Sequence, residues 1–315
     1  MPINTISFAT ALTAELDKAT EQGAVTGFMA DNVLRTKFVG AHTVLIPSVE
    51  LDGLGDYDHD TGFTRGAVTL TNQSCVLSQD RARSFQIDRE DNDETGIATL
   101  AGELMGEFVR TCVVPEIDAY VLSKTAGVAV TKSHTVSVGQ GSTLKADVYG
   151  MFTTAALGVQ NVVGFDEPLV CFVNPTVWEA MQQSSALSHQ LVVSDFRKGN
   201  VNFKVNSING IPVLPVPASR MKTAFTFYDG IDHSSETNGI DQSCGGFAAT
   251  ANAKNIGMLI LPKRAVMLVK KTEKVRTFSP DQNQTADAYK LDYRTYYDAF
   301  VRKSMENAIY AYVYQ

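Results

Sequence analysis

Cysteine is scarce in this chain. Cys75, Cys112, Cys171 and Cys244 are the only four, far apart and without a CxxC pair. That spacing excludes the disulfide framework of small secreted domains and the ligand pattern of a zinc finger, so free, mostly buried thiols are expected. Long apolar runs are missing too. The longest stretch, 256–269, is broken by Lys263 and Arg264, well short of the roughly 20 apolar residues that span a bilayer. The first twenty residues carry no basic lead and no unbroken apolar run. No secretory signal is therefore expected, and the chain should stay in the cytosol unless assembly carries it elsewhere. His42, His59, His134, His189 and His233 are scattered, with no pair at metal-ligand spacing. GxSxG, GxxxxGK[ST] and GxGxxG are all absent, which leaves a hydrolase elbow, a P-loop and a dinucleotide fingerprint unsupported. No enzyme and no cofactor are expected. The excess of acidic over basic residues, a net charge of -7, argues against an extensive grip on nucleic-acid phosphates. It permits enclosing nucleic acid without gripping it.

What is present points to a globular α+β chain. Its 315 residues are 44% apolar and 19% charged; at this length one core usually stops growing, so two packed subdomains are expected. The organising stretch runs from Asp91 to about Lys124. Ile97, Leu100, Leu104, Phe108, Val109, Cys112, Val113, Ile117, Tyr120 and Val121 fall on one stripe of a long helix. Asp91 and Glu94 have the form of a capping box. Gly102 and Gly106 weaken the helix and suggest close approach of a neighbour, and Pro115 should kink or split it.

Between Thr43 and Asp88 the period changes to two. The segments 43–51 and 67–87 read as the arms of one long hairpin, joined by a tip (52–66) dense in Gly and Asp. Such a hairpin has no core of its own and must lie on another surface, of this chain or of another subunit. Upstream, Phe8, Leu12 and Leu16 form an amphipathic arm that Gly23 and Gly27 interrupt. It is either an arm packing beyond its own domain or a loosely docked terminal helix.

Downstream, 128–141 reads as a connector, 143–157 as a helix and 169–173 as a buried strand. Asn174-Pro175 caps a further helix, and Asn209-Gly210 is a turn. The prolines of 211–217 demote that run to an edge or irregular strand. A surface loop is expected over 229–246, strands over 257–261 and 265–269, and a closing hairpin from 289–301 and 308–314.

The acidic tip Asp56-Tyr57-Asp58-His59-Asp60 supplies oxygens at EF-hand positions 1, 3 and 5. Gly62 comes one place late, and Ala67 stands where a bidentate Glu is required. An EF-hand is excluded. Lys263, Arg264, Lys270, Lys271, Lys274 and Arg276 read as a solvated face or an inter-subunit charge patch.

Several of these stretches, taken in order, resemble the major capsid proteins of tailed bacteriophages, which have the Hong Kong 97 type fold. They are LGDYDHDTGF, VTLTNQSCVLSQDRARSFQID, DNDETG leading into a helix that ends VVPEIDAY, INGIPVLPVPASRMKTAF, AKNIGMLILPKRAVMLVKK, FSPDQNQTADAYKLDYRTYYDAFV and NAIYAYV. The resemblance covers the chain from about Leu12 onward. It implies an N-terminal arm (1–40), an extended hairpin loop (41–90), a peripheral domain with a spine helix (91–142), an axial domain (143–256) and closing peripheral strands (257–315).

It further implies self-assembly into pentamers and hexamers of an icosahedral virion head enclosing double-stranded DNA, with no membrane. Assembly would take place in the bacterial cytoplasm, with portal and scaffolding proteins as partners. Asp56, Tyr57, Asp58, Asp60, Phe63, Arg65, Arg81 and Arg83 become candidate inter-subunit contacts, and Pro115 a bend in the spine. Two departures stand out. Residues 43–88 hold no lysine, so the isopeptide cross-link of some members is not available from this loop. Only about forty residues precede the hairpin, so scaffolding is expected from a separate protein or from a segment already removed, and the chain's own Met1 favours the first. The alternatives are an encapsulin compartment shell and, more distantly, a soluble calcium-dependent binding protein using the 52–60 carboxylates.

Overall fold

The computed structural model describes residues 23–33, 37–39, 42–57, 59–60, 62–63, 65–90, 101–184, 192–198, 201–236 and 239–315. The capping box at Asp91 and Glu94, the N-terminal apolar stripe and Asp58 lie outside these residues.

The long helix, α1, is built from Ala101–Phe108, a π turn Val109–Val113 and Val114–Thr131. Pro115 neither stops nor splits it. A proline inside an α-helix lacks its N–H, and its ring presses on the carbonyl four residues back. Here the wider π turn directly precedes it, and the Val114 N–H bonds to the Val109 carbonyl five residues back. A π turn is a recognised way of taking up such a local demand. The helix also runs to Thr131, beyond the expected end at Lys124, so the connector is shorter than 128–141. Gly106 marks no close contact, since a Cβ there would meet nothing within 4 Å.

α1 lies on a seven-stranded sheet of order β5-β15-β12-β6-β9-β8-β7. Its strands are β5 (Thr135–Val136), β6 (Leu169–Val173), β7 (Val192–Lys198), β8 (Val201–Ile208), β9 (Ile211–Pro215), β12 (Asn255–Pro262) and β15 (Tyr310–Tyr314), while β10 (Phe225–Phe227) and β11 (Phe247–Ala249) pair with each other in a separate ribbon. Both faces of its centre are covered. Val170, Phe172, Ile256, Leu259 and Leu261 join α1 in one apolar cluster. Leu169, Cys171, Val173, Met258 and Ile260 face a second cluster, formed with α2 (Ser142–Val163) and α3 (Pro175–Gln183). This is why β6 reads as an unbroken apolar run rather than an alternating one. α3 starts as expected: the Asn174 side chain accepts from the Val177 N–H at 2.9 Å, with Pro175 in the first turn. At Gly257, beside the register shift in β12, an added Cβ would run into the Tyr312 ring. Only glycine lets these two strands close.

Two expectations about pairing are corrected. β9 is internal, not an edge, despite its prolines. Its ladder with β6 begins at Val213, beyond Pro212, and its ladder with β8 ends at Val213, before Pro215. Each proline thus lacks a partner strand on one side. The closing hairpin does not form. β14 (Ala288–Val301) pairs with β13 (Val266–Phe278) and β4 (Gln79–Asp88), whereas β15 belongs to the seven-stranded sheet. A 3-10 helix, Lys303–Ala308, carries the chain between the two sheets. The boundary expected between 256 and 257 lies within β12.

The β13-β14-β4 sheet packs its inner face on α1 through Val275, Leu291, Tyr293 and Tyr297, in the same apolar cluster as the seven-stranded sheet. The described part of the N-terminal segment, with a 3-10 helix at Gly27–Val33, is docked on its own chain. Phe28 is buried against Phe172 and Phe196. Asp118, fully buried on α1, accepts from the Val25 and Thr26 N–H groups and the Thr26 hydroxyl, and pairs with Arg220 at 3.0 Å.

Candidate functional site

The expected hairpin exists but is shorter than 43–88. β2 (Thr43–Leu51) pairs with β3 (Val68–Val76) in register from Thr43↔Val76 to Leu51↔Val68, with β1 (Lys37–Val39) at its side. The chain then leaves the hairpin and enters β4. Over nine residues the hairpin extends about 30 Å from its base, at roughly 3.3 Å per residue. Near the base, Val44, Ile46, Cys75 and Leu77 are buried against Met267, Val269, Tyr296 and Phe300. Beyond Ile46 that cover ends. Leu51, Leu70 and Phe63 are 70%, 73% and 89% exposed, and Val49, Leu54, Tyr57 and Val68 are also exposed. Isolated exposed apolar residues are ordinary, but a contiguous set on one projection marks a surface that another body covers. The tip is closed locally. The Asp52 carboxylate accepts from the Ala67 N–H at 2.7 Å, and Tyr57 sits edge-on to His59 and Phe63.

The hairpin is aimed by a polar node at its root. Asp298 on β14 is buried and accepts from the Ser78 N–H (3.0 Å) and hydroxyl (2.9 Å), the Tyr120 hydroxyl (2.8 Å) and the Lys124 ammonium (2.5 Å). One carboxylate so joins the β3–β4 corner to α1. Burial opposes the charge on Lys124, yet the bond to Asp298 holds its pKa above the ordinary lysine value. His42, just before β2, contacts the Tyr296 hydroxyl at 2.5 Å, and that hydroxyl donates to the Leu77 carbonyl. Residue spacing gave no signal for either contact, because each partner is more than 170 positions away.

The sequence-predicted residues divide into two groups. Asp56, Tyr57, Asp60, Phe63 and Arg65 are in the tip, where only Gly62 among the described residues from Asp52 to Gly66 is less than exposed. Arg81 and Arg83 lie on β4 and face the other way. Arg81 binds the Glu116 carboxylate through two nitrogens, at 2.7 and 3.2 Å, and also donates to the Tyr228 and Gly246 carbonyls. Arg83 donates to the Ser243 carbonyl. The two arginines hold the 228–246 loop over a cavity of about 500 Å³ between β4 and the π turn of α1.

Within that loop His233 bonds both Glu236 and Asp229, at 2.8 and 2.9 Å, and these bonds raise its pKa to about 9. Because the folded value lies above the unfolded one, this contribution is complete below about pH 6.5 and fades as pH rises through about 9. An NMR titration should give an imidazole midpoint near 9; a midpoint at the ordinary histidine value would show that these bonds do not persist in solution.

Among the described residues, no cluster of three or more His, Cys, Asp or Glu side chains is placed to hold a metal ion, and no helix is long and apolar enough to cross a membrane.

In sequence the chain matches no family profile, and it matches no curated protein. In structure it resembles solved capsids. The mature capsid of bacteriophage PhiM1 aligns with TM-score 0.51 at 12% identity, over 87% of this chain and 82% of that one. The capsid of cyanophage P-SCSP1u aligns with TM-score 0.51 at 12% identity, over 88% and 84%. A virus-like particle from Pyrococcus furiosus aligns at only 0.44, with 10% identity over 90% and 96%. The chain has the mixed helix-and-sheet fold of these phage capsid subunits.

Proposed function

We propose that this chain is a structural major capsid protein of a tailed bacteriophage. It is a virion component, made in the bacterial cytoplasm, whose copies form the pentamers and hexamers of an icosahedral head around double-stranded DNA. Portal and scaffolding proteins are its partners during assembly, and it carries out no catalysis. The observation that carries this reading is the hairpin on a capsid fold: buried at its root, apolar and uncovered beyond it. Covering such a surface with neighbouring copies would supply about 25 cal/mol for each Å² of apolar area removed from water. In this reading 1–40 is the arm, 41–90 the extended loop, and Pro115 with its π turn the bend of the spine.

Deletion of 52–63 should leave the subunit folded, with an unchanged thermal midpoint, and stop normal shell growth under the electron microscope. Normal closed shells from that variant would refute the interlocking role of the hairpin.

A further inference from the structure

The cavity between β4 and the π turn of α1 is too large to be a packing fault. Protein interiors hold few voids larger than a water molecule, whereas small-molecule sites run to about 300–1,000 Å³. This one measures about 500 Å³. One row of α1, Phe108, Cys112 and Glu116, forms one wall, the inner face of β4 and β14 forms the other, and the 228–246 loop closes over them. The chemistry of the lining is uneven. Phe108 stands edge-on to Phe85 and Tyr293, with ring centroids 5.0 and 5.6 Å away, which makes an aromatic corner. The carboxylates of the lining are already paired, Glu116 with Arg81, Asp80 with Arg294 and Asp229 with His233. Arg83 is different. A guanidinium has five N–H donors; among the described residues Arg83 donates to the Ser243 carbonyl and has no carboxylate partner. Gly230 and Gly245, both at positive φ, let the loop come down on it, since an added Cβ would stand 3.7 and 3.4 Å from its Nη1. The Tyr297 hydroxyl, also on the lining, is buried and has no hydrogen-bond partner, although such groups are nearly always paired. In the β4–β14 ladder Arg83 stands opposite Tyr293 and Gln79 opposite Tyr297, so Arg83 and Tyr297 are rooted about 13 Å apart along the strands.

We infer that this cavity binds a small aromatic acid with a second polar group at its far end. The ring lies against Phe85, Phe108 and Tyr293, the acid group is held by Arg83, and the far group meets the Tyr297 hydroxyl. A cationic ligand is disfavoured because each carboxylate of the lining already has its cation. A peptide is disfavoured because Arg81, bonded to the Tyr228 and Gly246 carbonyls, ties both ends of the loop across the opening. An occupant would join the π turn of α1 to the 228–246 loop, whether or not the subunit stands in a shell.

A hydroxynaphthoate titrated into the full-length, unassembled subunit and followed by calorimetry tests the inference. Saturable binding at one site per subunit is expected, with the neutral carboxamide of the same ring at least about tenfold weaker. Arg83→Met should bring the acid down to the level of the amide and leave the amide unchanged, whereas Tyr297→Phe should weaken both. Circular dichroism checks the fold, with Arg83→Gln as the milder variant. The cavity's own thiols locate the ligand: Cys112 and Cys244 are exposed, while Cys75 and Cys171 are buried. The acid should slow maleimide labelling of Cys112 and Cys244 together, read by mass spectrometry. No saturable binding, equal binding of acid and amide, full binding of the acid by Arg83→Met, or binding that protects neither thiol would each overturn the inference. Should neither Arg83 variant fold, the preference for acid over amide and the thiol protection in wild type decide it.

Discussion

Asp298→Ala should lower the unfolding free energy of the subunit by about 3 kcal/mol, read as a shift of the urea midpoint. The carboxylate is buried and, besides the Ala299 N–H of its own strand, holds four groups from two other elements: Ser78 by its N–H and hydroxyl, Tyr120 and Lys124. Removing it strands an ammonium that is only partly able to reach water, with a side chain 38% exposed. The figure is placed at the low end of the range for a broken buried pair because of that access. Asp298→Asn keeps an oxygen acceptor but not the charge, and should lose less. The loss would also reach assembly, since Ser78 ties the root of the hairpin to the sheet, and a hairpin without that tie no longer points one way. A midpoint unchanged within error in Asp298→Ala would mean that the node contributes nothing.

Asp118→Ala should cost about 3 kcal/mol as well, by a different route. Its two buried oxygens satisfy two backbone N–H groups, the Thr26 hydroxyl and the partly exposed Arg220 guanidinium. Without the carboxylate the N-terminal segment loses its only polar anchor on α1 among the described residues, although Phe28 and Met29 remain buried in the core. Limited proteolysis is the more specific readout. The variant should be cut between 23 and 33 at protease levels that leave wild type intact. Equal resistance would show that apolar packing alone holds the segment.

The elements whose signal is local were legible in the sequence. The all-buried strand β6, the Asn174 cap and the Asn209-Gly210 turn depend on neighbours a few positions away. So does the stripe of α1, although its π turn was not foreseen, because periodicity reads residues and not the register of their carbonyls. Partner choice was not legible. β4 alternates cleanly, yet nothing in Gln79–Asp88 says that it pairs with β14, 200 residues on, instead of closing the hairpin with β2. The prolines of β9 argued for an edge because the rule assumes a partner along the whole strand on both sides. Arg81 and Arg83 were grouped with the tip by proximity in sequence, although β4 turns them toward α1 and the 228–246 loop. The basic run 263–276 was visible as charge. Which of its members share a face depended on one register shift in β13, which no composition reveals.

The central claim is that the exposed hairpin of one copy is covered by its neighbours in a closed shell. Cryo-electron microscopy of the full chain, expressed alone and together with the scaffolding protein proposed for it, tests it most directly. The account predicts closed icosahedral particles of pentamers and hexamers, in which residues 49–70 of each subunit lie on an adjacent copy and are lost from solvent. Particles in which the hairpin points into solvent, or a chain that remains monomeric, would contradict it.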